Sequence, residues 1–480
     1  MASLFFGYLH SKTNSAVLRY FRLNDPYRLI GLMLLMTLLA LTHFIFLPGL
    51  TIEEIRHIVI GEELGDKLLY VRLIDDTPPL MALTDLILDA LLGRSLLMRH
   101  LLALFILFLQ AAYFAVILIN NKAYNESSYV PALVFAVLCL FSFDVMSLSP
   151  DLLASFFLLL SLDNLFKEIE FRSERDSLVL NLGIFLGMAS LYVFSYIIFL
   201  FGSIILMVIF ARTSLRKVML LLFGFGLIHA ILWTVYYAYD HAEELWTHFY
   251  VPNLQIREEI STDVGTLSRL LALPCIYFVI SLFMLTREAR FTRYQTQLFQ
   301  SIFLWLLFAV IEIWVNPEIR PHSFIPFFPP LAYLISHYLL LIRRKWIAES
   351  MMFLFMCGVI TVHYTSFFDK IPGIHYESMF PKQMDIHELP IVNKKVMMLG
   401  TDLSIYERNE MAGDFLDWNL SEKYFADHDE YDNIIRIREA MLNDPPDVIV
   451  DPNNVMAPIL SRIPELETRY HKQGILYEQH

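Results

Sequence analysis

The residues best able to do chemistry collect in one stretch, 49–97, which carries Glu53, Glu54, Glu62, Glu63, Asp66, Asp75 and Asp76. A carboxylate held beside a hydroxyl or an amine can take its proton, so acids gathered in this way are candidates for a general base. The run Asp75-Asp76-Thr77-Pro78-Pro79-Leu80 adds rigidity, because two prolines set an extended turn directly after an acid pair and aim it. Glu53 or Glu54 at the start of the stretch and Asp76 near its end could converge on one point. The plainer reading of the same residues is an interfacial helix. In it Ile52, Ile55, Ile58 and Ile60 interleave with Glu53, Glu54, Arg56 and His57, giving helical pattern without spanning length.

The elements that must position these acids are membrane spans. Of the 480 residues 56% are apolar and 18% charged, and the mean hydropathy is +0.52, which requires several apolar runs of about 20 residues. Such runs lie at roughly 30–48, 98–119, 130–146, 151–165, 178–194, 196–211, 217–237, 267–285, 298–315, 323–342 and 347–366, about eleven in all. Basic residues collect in alternate loops, at Lys12, Arg19, Arg22 and Arg28, at Lys167, Arg172 and Arg175, at Arg212, Arg216 and Lys217, at Arg287, Arg290 and Arg293, and at Arg343, Arg344 and Lys345. This bias predicts a cytoplasmic N-terminus and, with an odd number of spans, an extracytoplasmic C-terminus. The first span reads as uncleaved, since no small-residue cleavage site succeeds it. Residues 1–366 then form a transmembrane domain with two long outer loops, 49–97 and 238–266. The setting suits a bacterial inner, or cytoplasmic, membrane.

From about residue 367 the composition becomes that of a soluble domain. Lys395–Gly400 and Asp447–Val450 read as buried strands, Tyr431–Asn443 as a helix and 455–470 as a closing amphipathic helix. The predicted fold class is thus an all-α polytopic membrane protein with a small C-terminal α/β extracytoplasmic domain, residues 367–480. No glycine-rich phosphate loop opens a helix there, so nucleotide binding is not supported.

Several classes are excluded or disfavoured. A net charge of −13 argues against nucleic acid as a partner. Cys139, Cys275 and Cys357 all lie in apolar runs and make neither a disulfide framework nor a zinc site. Mid-span positions are almost free of charge, which disfavours an ion-coupled transporter. Asp144 and Asp151, near the outer mouth, suit either an entrance for an acceptor or a helix-capping role. His57, His100, His241, His248 and His322 fall on the outer side, so a divalent metal bridging a carboxylate and a histidine is one chemistry these types allow, although no H-E-x-x-H pair is present. Trp246, His248, Phe249, Tyr250 and Pro252 make an aromatic outer segment suited to covering a cavity or to sitting at headgroup level.

Taken in order, three motifs carry a family resemblance. Thr51-Ile52-Glu53-Glu54 comes just after the first span; then come Gly65, Asp75-Asp76-Thr77-Pro78-Pro79-Leu80, Leu92-Gly93-Arg94-Ser95 and Arg99. Ser149-Pro150-Asp151-Leu152-Leu153 opens the fourth span. Arg320-Pro321-His322-Ser323-Phe324-Ile325-Pro326-Phe327-Phe328-Pro329-Pro330-Leu331 opens a late one. This set resembles the GT-C membrane glycosyltransferases, closest in pattern to protein O-mannosyltransferases and lipid A aminoarabinose transferases.

The resemblance implies a sugar donor on a polyprenyl phosphate and an acceptor arriving from outside the membrane. It implies that Glu53 or Glu54 is the base, that Asp76 orients the acceptor or assists the base, and that Asp75 and Asp151 line the acceptor entrance. Arg320 and His322 would face the donor phosphate, with no resident metal assigned. Membrane lipid and, through the C-terminal domain, an envelope protein are the implied partners. Two positions depart from the family pattern: the usual Asp-Glu pair reads Glu53-Glu54, and Thr77 stands where a basic residue is often found. These departures leave a second reading, a non-catalytic subunit of the same architecture that binds lipid or an envelope-assembly partner.

Overall fold

The computed structural model describes residues 17–46, 49–171, 175–254, 263–316, 319–368, 374, 376, 379–380 and 391–479. Contacts divide the chain into two compact units, one of residues 1–47, 99–228 and 258–375, the other of 48–98, 229–257 and 376–480. The stretches 49–97 and 238–254, which the sequence places with the membrane domain, therefore pack with the C-terminal segment.

The first unit is helical. Each of the eleven predicted spans is helical over at least part of its length, and seven helices among the described residues are long and apolar enough to cross a membrane: Leu96–Asn120, Phe194–Ala211, Leu215–Ala238, Val264–Glu288, Arg293–Val315, Pro321–Leu341 and Lys345–Ser366. The others fall short in different ways. The apolar helices Arg28–Leu41 and Asp176–Tyr192 are shorter, and Pro150–Phe171 gathers charge toward its end. The segment predicted at 130–146 is not one span: an α-helix of 9 residues, Val130–Leu138, is succeeded by a separate 3-10 turn, Phe143–Met146. At 1.5 Å per residue such a helix covers about 14 Å, half a bilayer core.

Prolines shape the entry to the late span. Pro326, Pro329 and Pro330 lack the N–H donors of an α-helical ladder, so Pro321–Phe327 winds as a 3-10 helix and the α-helix begins at Phe328. Helices Asp176–Tyr192 and Leu215–Ala238 cross closely at Gly183, where an added Cβ would lie 2.2 Å from the Leu221 carbonyl oxygen.

The second unit is built on a five-stranded sheet of order β2-β1-β3-β5-β4, with β1 Lys395–Met398, β2 Glu410–Met411, β3 Val448–Val450, β4 Tyr470–Gln473 and β5 Leu476–Gln479. β1 pairs parallel with β2 and β3, while β5 runs antiparallel to β3 and β4. The predicted strands at 395 and 447 and the helix Tyr431–Asn443 are present. The predicted helix over 455–470 is not. Pro464 interrupts it: Ile463 adopts φ −121° and ψ 82° before its proline, and two short helices, Met456–Leu460, which holds Pro458 in its first turn, and Pro464–Glu467, lead into a hairpin turning at Gly474. Helix Trp418–Ala426 and strand β2 were not legible in the sequence.

The core of this unit joins Met397, Phe415, Trp418, Ile437 and Ile449 to Ile74, a residue of the acid-rich stretch. Ile74 donates its N–H to the Asp414 carbonyl, and its own carbonyl accepts from Asp417 N–H, at 2.7 and 3.0 Å. Asp75 and Asp76 are thereby anchored to the C-terminal segment by backbone pairing.

Candidate functional site

In the second unit, helix Ile52–Glu63 starts with a capping box: Thr51 Oγ1 accepts the Glu54 N–H at 3.2 Å, and Glu54 Oε2 accepts the Thr51 N–H at 3.0 Å. Glu54 therefore has a structural task that its type and position dictate. Glu53, one residue earlier on the helix, lies 3.5 Å from His57 Nε2, one turn along. The other ring nitrogen, His57 Nδ1, is 2.8 Å from Asp85 Oδ2 on helix Pro79–Leu92. Burial would lower the His57 imidazole, but the Asp85 carboxylate, with Glu53 behind it, outweighs this and holds it up at about 10.

Close helix packing makes the contact. Gly61 shares a helix face with His57, and an added Cβ would meet the Asp85 carbonyl oxygen at 2.6 Å. Pro79 is fully compatible with the first turn of its helix, where no N–H partner exists to lose.

A second group surrounds Arg56. Its Nη1 lies 2.9 Å from Asp76 Oδ1, 3.5 Å from Asp417 Oδ2 and 3.8 Å from Asp75 Oδ2. Asp75, Asp76 and Asp417 present oxygens within 4.8 Å of one another, the spacing at which three carboxylates can share one cation. Arg56 supplies a positive charge to them. Asp75 is fully buried; one oxygen accepts the Thr77 N–H at 2.8 Å, and the other lacks a hydrogen bond. Burial, helped by Asp76 and Asp417 and opposed by Arg56, pushes the Asp75 carboxyl up to about 6.

Thr77 is held from its other side by Tyr70, whose hydroxyl donates to the Thr77 carbonyl at 2.7 Å. Tyr70 stacks on His248 and Phe249 with ring centroids 6.5 and 6.3 Å apart. The aromatic outer segment is thus tied to the acid–proline turn, and its Trp246 and Tyr250 stack on each other at 5.6 Å. Residues 255–262, which complete the predicted loop, lie outside those described.

Sequence reasoning missed a cleft of about 860 Å³ in this unit, lined by Glu62, Lys67, Arg94, Lys395, Glu410 and Asp444 among others. Buried Lys67 meets Glu63 at 2.5 Å and Asp444 at 2.8 Å, and Arg94 grips both oxygens of Glu62 at 2.5 and 2.6 Å. Glu62, Glu63 and Arg94 were visible in the sequence; Asp444, which Lys67 meets 377 residues on, and the Tyr406 and Asn409 carbonyls, which Arg94 meets 312 and 315 residues on, were not.

The first unit holds a separate buried polar group. His322 sits between two carboxylates, with Nδ1 3.0 Å from Asp144 Oδ2 and Nε2 3.4 Å from Asp151 Oδ2. The His322 N–H also donates to Asp144 at 2.9 Å, and Tyr196 donates to Asp151 at 2.8 Å. The capping bond from Leu152 N–H goes to Ser149 Oγ, which leaves the Asp151 carboxylate for these partners. Near it Glu312 accepts from Ser195 and Asn316 at 2.6 and 3.2 Å. His100 is hydrogen-bonded to His43 at 3.0 Å in a buried pair. Arg320 is half-buried at the N-cap of the 3-10 helix that carries His322.

Of the predicted site residues, then, Glu53, Glu54, Asp75 and Asp76 belong to one unit, and Asp151, Arg320 and His322 to the other. Within the first unit the two motifs opening at Ser149 and Arg320 meet through His322 and Asp151. Within the second, Asp75 and Asp76 meet at Arg56, whereas Glu53 turns to His57.

An apolar helical body, a carboxylate-rich segment after the first apolar helix and a proline-rich late entry define an integral membrane protein of the GT-C fold. Solved structures of ArnT from Cupriavidus metallidurans share the fold. Its complex with undecaprenyl phosphate is 13% identical with a TM-score of 0.52, and its apo form 14% identical with a TM-score of 0.54. Each comparison covers 90% of this chain and 95% of that one. No family model matches the sequence, and no curated protein matches it.

Proposed function

We propose that the protein is an inverting glycosyltransferase that moves a sugar from a polyprenyl-phosphate donor to a lipid, glycan or protein acceptor at the outer face of the cytoplasmic membrane. The observation that carries this reading is the shared fold along 90% of the chain with a protein crystallised on undecaprenyl phosphate. Glu53 is the base: it takes the proton of the acceptor hydroxyl or amine as that atom bonds to the anomeric carbon and the bond to the phosphate oxygen breaks. One displacement inverts the anomeric centre. Arg320 is the cation for the phosphate that leaves, a charge-assisted contact that strengthens as negative charge develops. His322, already between two carboxylates, orients Asp151 at the acceptor entrance. Glu54 holds the helix end, and Asp76, paired with Arg56, positions the acid–proline turn. Asp75 lines the acceptor side of that turn. In this reading the N-terminus is cytoplasmic and the sheet-bearing segment faces outward, where it also offers a surface to an envelope protein.

The test is turnover by purified protein in lipid nanodiscs, with undecaprenyl-phosphate sugars as donors and release of undecaprenyl phosphate as the signal. Glu53→Gln abolishes release while binding of undecaprenyl phosphate persists. Glu54→Gln, which keeps the capping box because Gln also serves at that position, leaves release within a few-fold of wild type. Binding without turnover over a broad panel of sugars and acceptors would move the conclusion to the non-catalytic subunit, which the Arg56-neutralised acid group and Thr77 favour.

A further inference from the structure

We infer that His57 and Asp85 form a positioning pair that keeps Glu53 ionised and aimed, with a fixed imidazolium standing between two carboxylates. This deepens the role of Glu53 as base and rests on that reading. The geometry is an ordered line: Asp85 Oδ2 to His57 Nδ1 is 2.8 Å, and His57 Nε2 to Glu53 Oε1 is 3.5 Å. Exposure decreases along the line, from a Glu53 side chain 17% exposed through His57 at 6% to Asp85 at 0%. The outer member is the most exposed of the three, as a base receiving an acceptor must be, and the inner two are buried behind it.

Each part has a physical reason. An ionised Asp85 at zero exposure needs a charged partner, because an uncompensated carboxylate in a buried place is costly. A protonated His57 satisfies it and still has a second N–H to direct at Glu53. A cation within about 4–6 Å lowers a carboxyl pKa by about one to three units, which keeps the base free of its own proton at neutral pH. The bond to Asp85 also fixes the ring plane, so Glu53 faces Nε2, 3.5 Å away as a charge contact and not as a hydrogen bond, in one orientation. The charged groups facing the ring are Asp85 from helix Pro79–Leu92 and Glu53 from its own helix. Farther along that helix, where the turn Leu403–Glu407 and β2 also pack, Glu62 pairs with Arg94, and Glu410 acts on Arg94 as well. One residue before His57, Arg56 is engaged by Asp75, Asp76 and Asp417.

Two measurements on full-length protein in nanodiscs test this. In the first, histidine ¹⁵N resonances are titrated without substrate, and the His57 signal is assigned by its loss in His57→Gln. It remains an imidazolium through pH 8 in wild type and loses its proton below pH 8 in Asp85→Asn. A neutral His57 at pH 7.5 in wild type overturns the inference. In the second, the pH profile of undecaprenyl phosphate release is compared among variants. The acid limb moves to higher pH by about one to three units in His57→Gln, while rates at pH 9 approach wild type. A pair that merely held the fold would lower the rate at every pH and leave the limb in place, and that result overturns the positioning role. The failures are separable. Wild type that shows the imidazolium and turns over no donor overturns the transferase reading. Turnover with an unmoved limb overturns the pair.

Discussion

Replacing Asp75 by Asn should stabilise the protein at neutral pH and do nothing at low pH, although Asp75 lies in the most acid-rich motif of the chain. The carboxyl is fully buried, and its folded pKa is about 6 against an ordinary 3.8. Native protein therefore holds a proton there that unfolded protein has released between about pH 4 and pH 6, and stability falls as pH rises through that window. A gap of about two pH units corresponds to about 3 kcal/mol, fully felt above pH 7. Asn keeps the acceptor for the Thr77 N–H, which Asp75 Oδ1 meets at 2.8 Å. Its NH₂ takes the place of the oxygen that lacks a hydrogen bond, in a group where the Asp76 and Asp417 oxygens lie within 4.8 Å. The ion pair lost is a long one, 3.8 Å, and Arg56 retains Asp76 at 2.9 Å and Asp417 at 3.5 Å. The gain is thus up to about 3 kcal/mol at pH 8, shrinking to nothing near pH 4. The assay is thermal unfolding in nanodiscs, monitored by tryptophan fluorescence, from pH 4 to 8. A loss of stability in Asp75→Asn that is equal at pH 5 and pH 8 would refute the reasoning. It would show that Arg56 favours the ionised carboxylate more than burial opposes it.

Packing and hydrogen bonding set three further outcomes. Gly61→Ala forces a Cβ to within 2.6 Å of the Asp85 carbonyl oxygen and should destabilise by about 1–2 kcal/mol even after the helix-propensity gain of Ala. Gly65→Ala, whose nearest neighbour would be 3.9 Å away, serves as the tolerant control in the same unfolding assay. Thr51→Ala removes the acceptor for the Glu54 N–H and should cost about 1 kcal/mol, whereas Thr51→Ser should be near wild type. His322→Leu takes the imidazole away from Asp144 and removes one partner of Asp151, so a loss of about 3–5 kcal/mol is expected. His322→Gln, which can still donate to one carboxylate, should lose less in chemical denaturation.

By itself the sequence determined the features that local pattern and solvent dictate. Apolar runs of spanning length have no home in water, so the helical body and its approximate segments are readable from composition alone, as helices such as Leu96–Asn120 and Lys345–Ser366 bear out. Capping is equally local, and the Thr51–Glu54 box is written in four consecutive residues. Two local signals pointed the wrong way: Pro464 broke a helix that its apolar periodicity suggested, and the segment at 130–146 proved too short in helix to span. Only tertiary structure decided which acid does what. Glu53 and Glu54 are adjacent and alike in type, and they part ways because a helix face repeats every 3.6 residues: one meets His57 a turn away, the other turns back to its own N-cap. Asp85 carried no signal in the sequence, since an acid in an apolar helix reads as an ordinary surface residue until Gly61 lets the neighbouring helix close over it. Likewise Asp417 reaches Arg56, and Asp144 and Asp151 reach His322, from distant parts of the chain. Spacing along a chain says nothing of such meetings, because they are fixed by which faces pack together and exclude water.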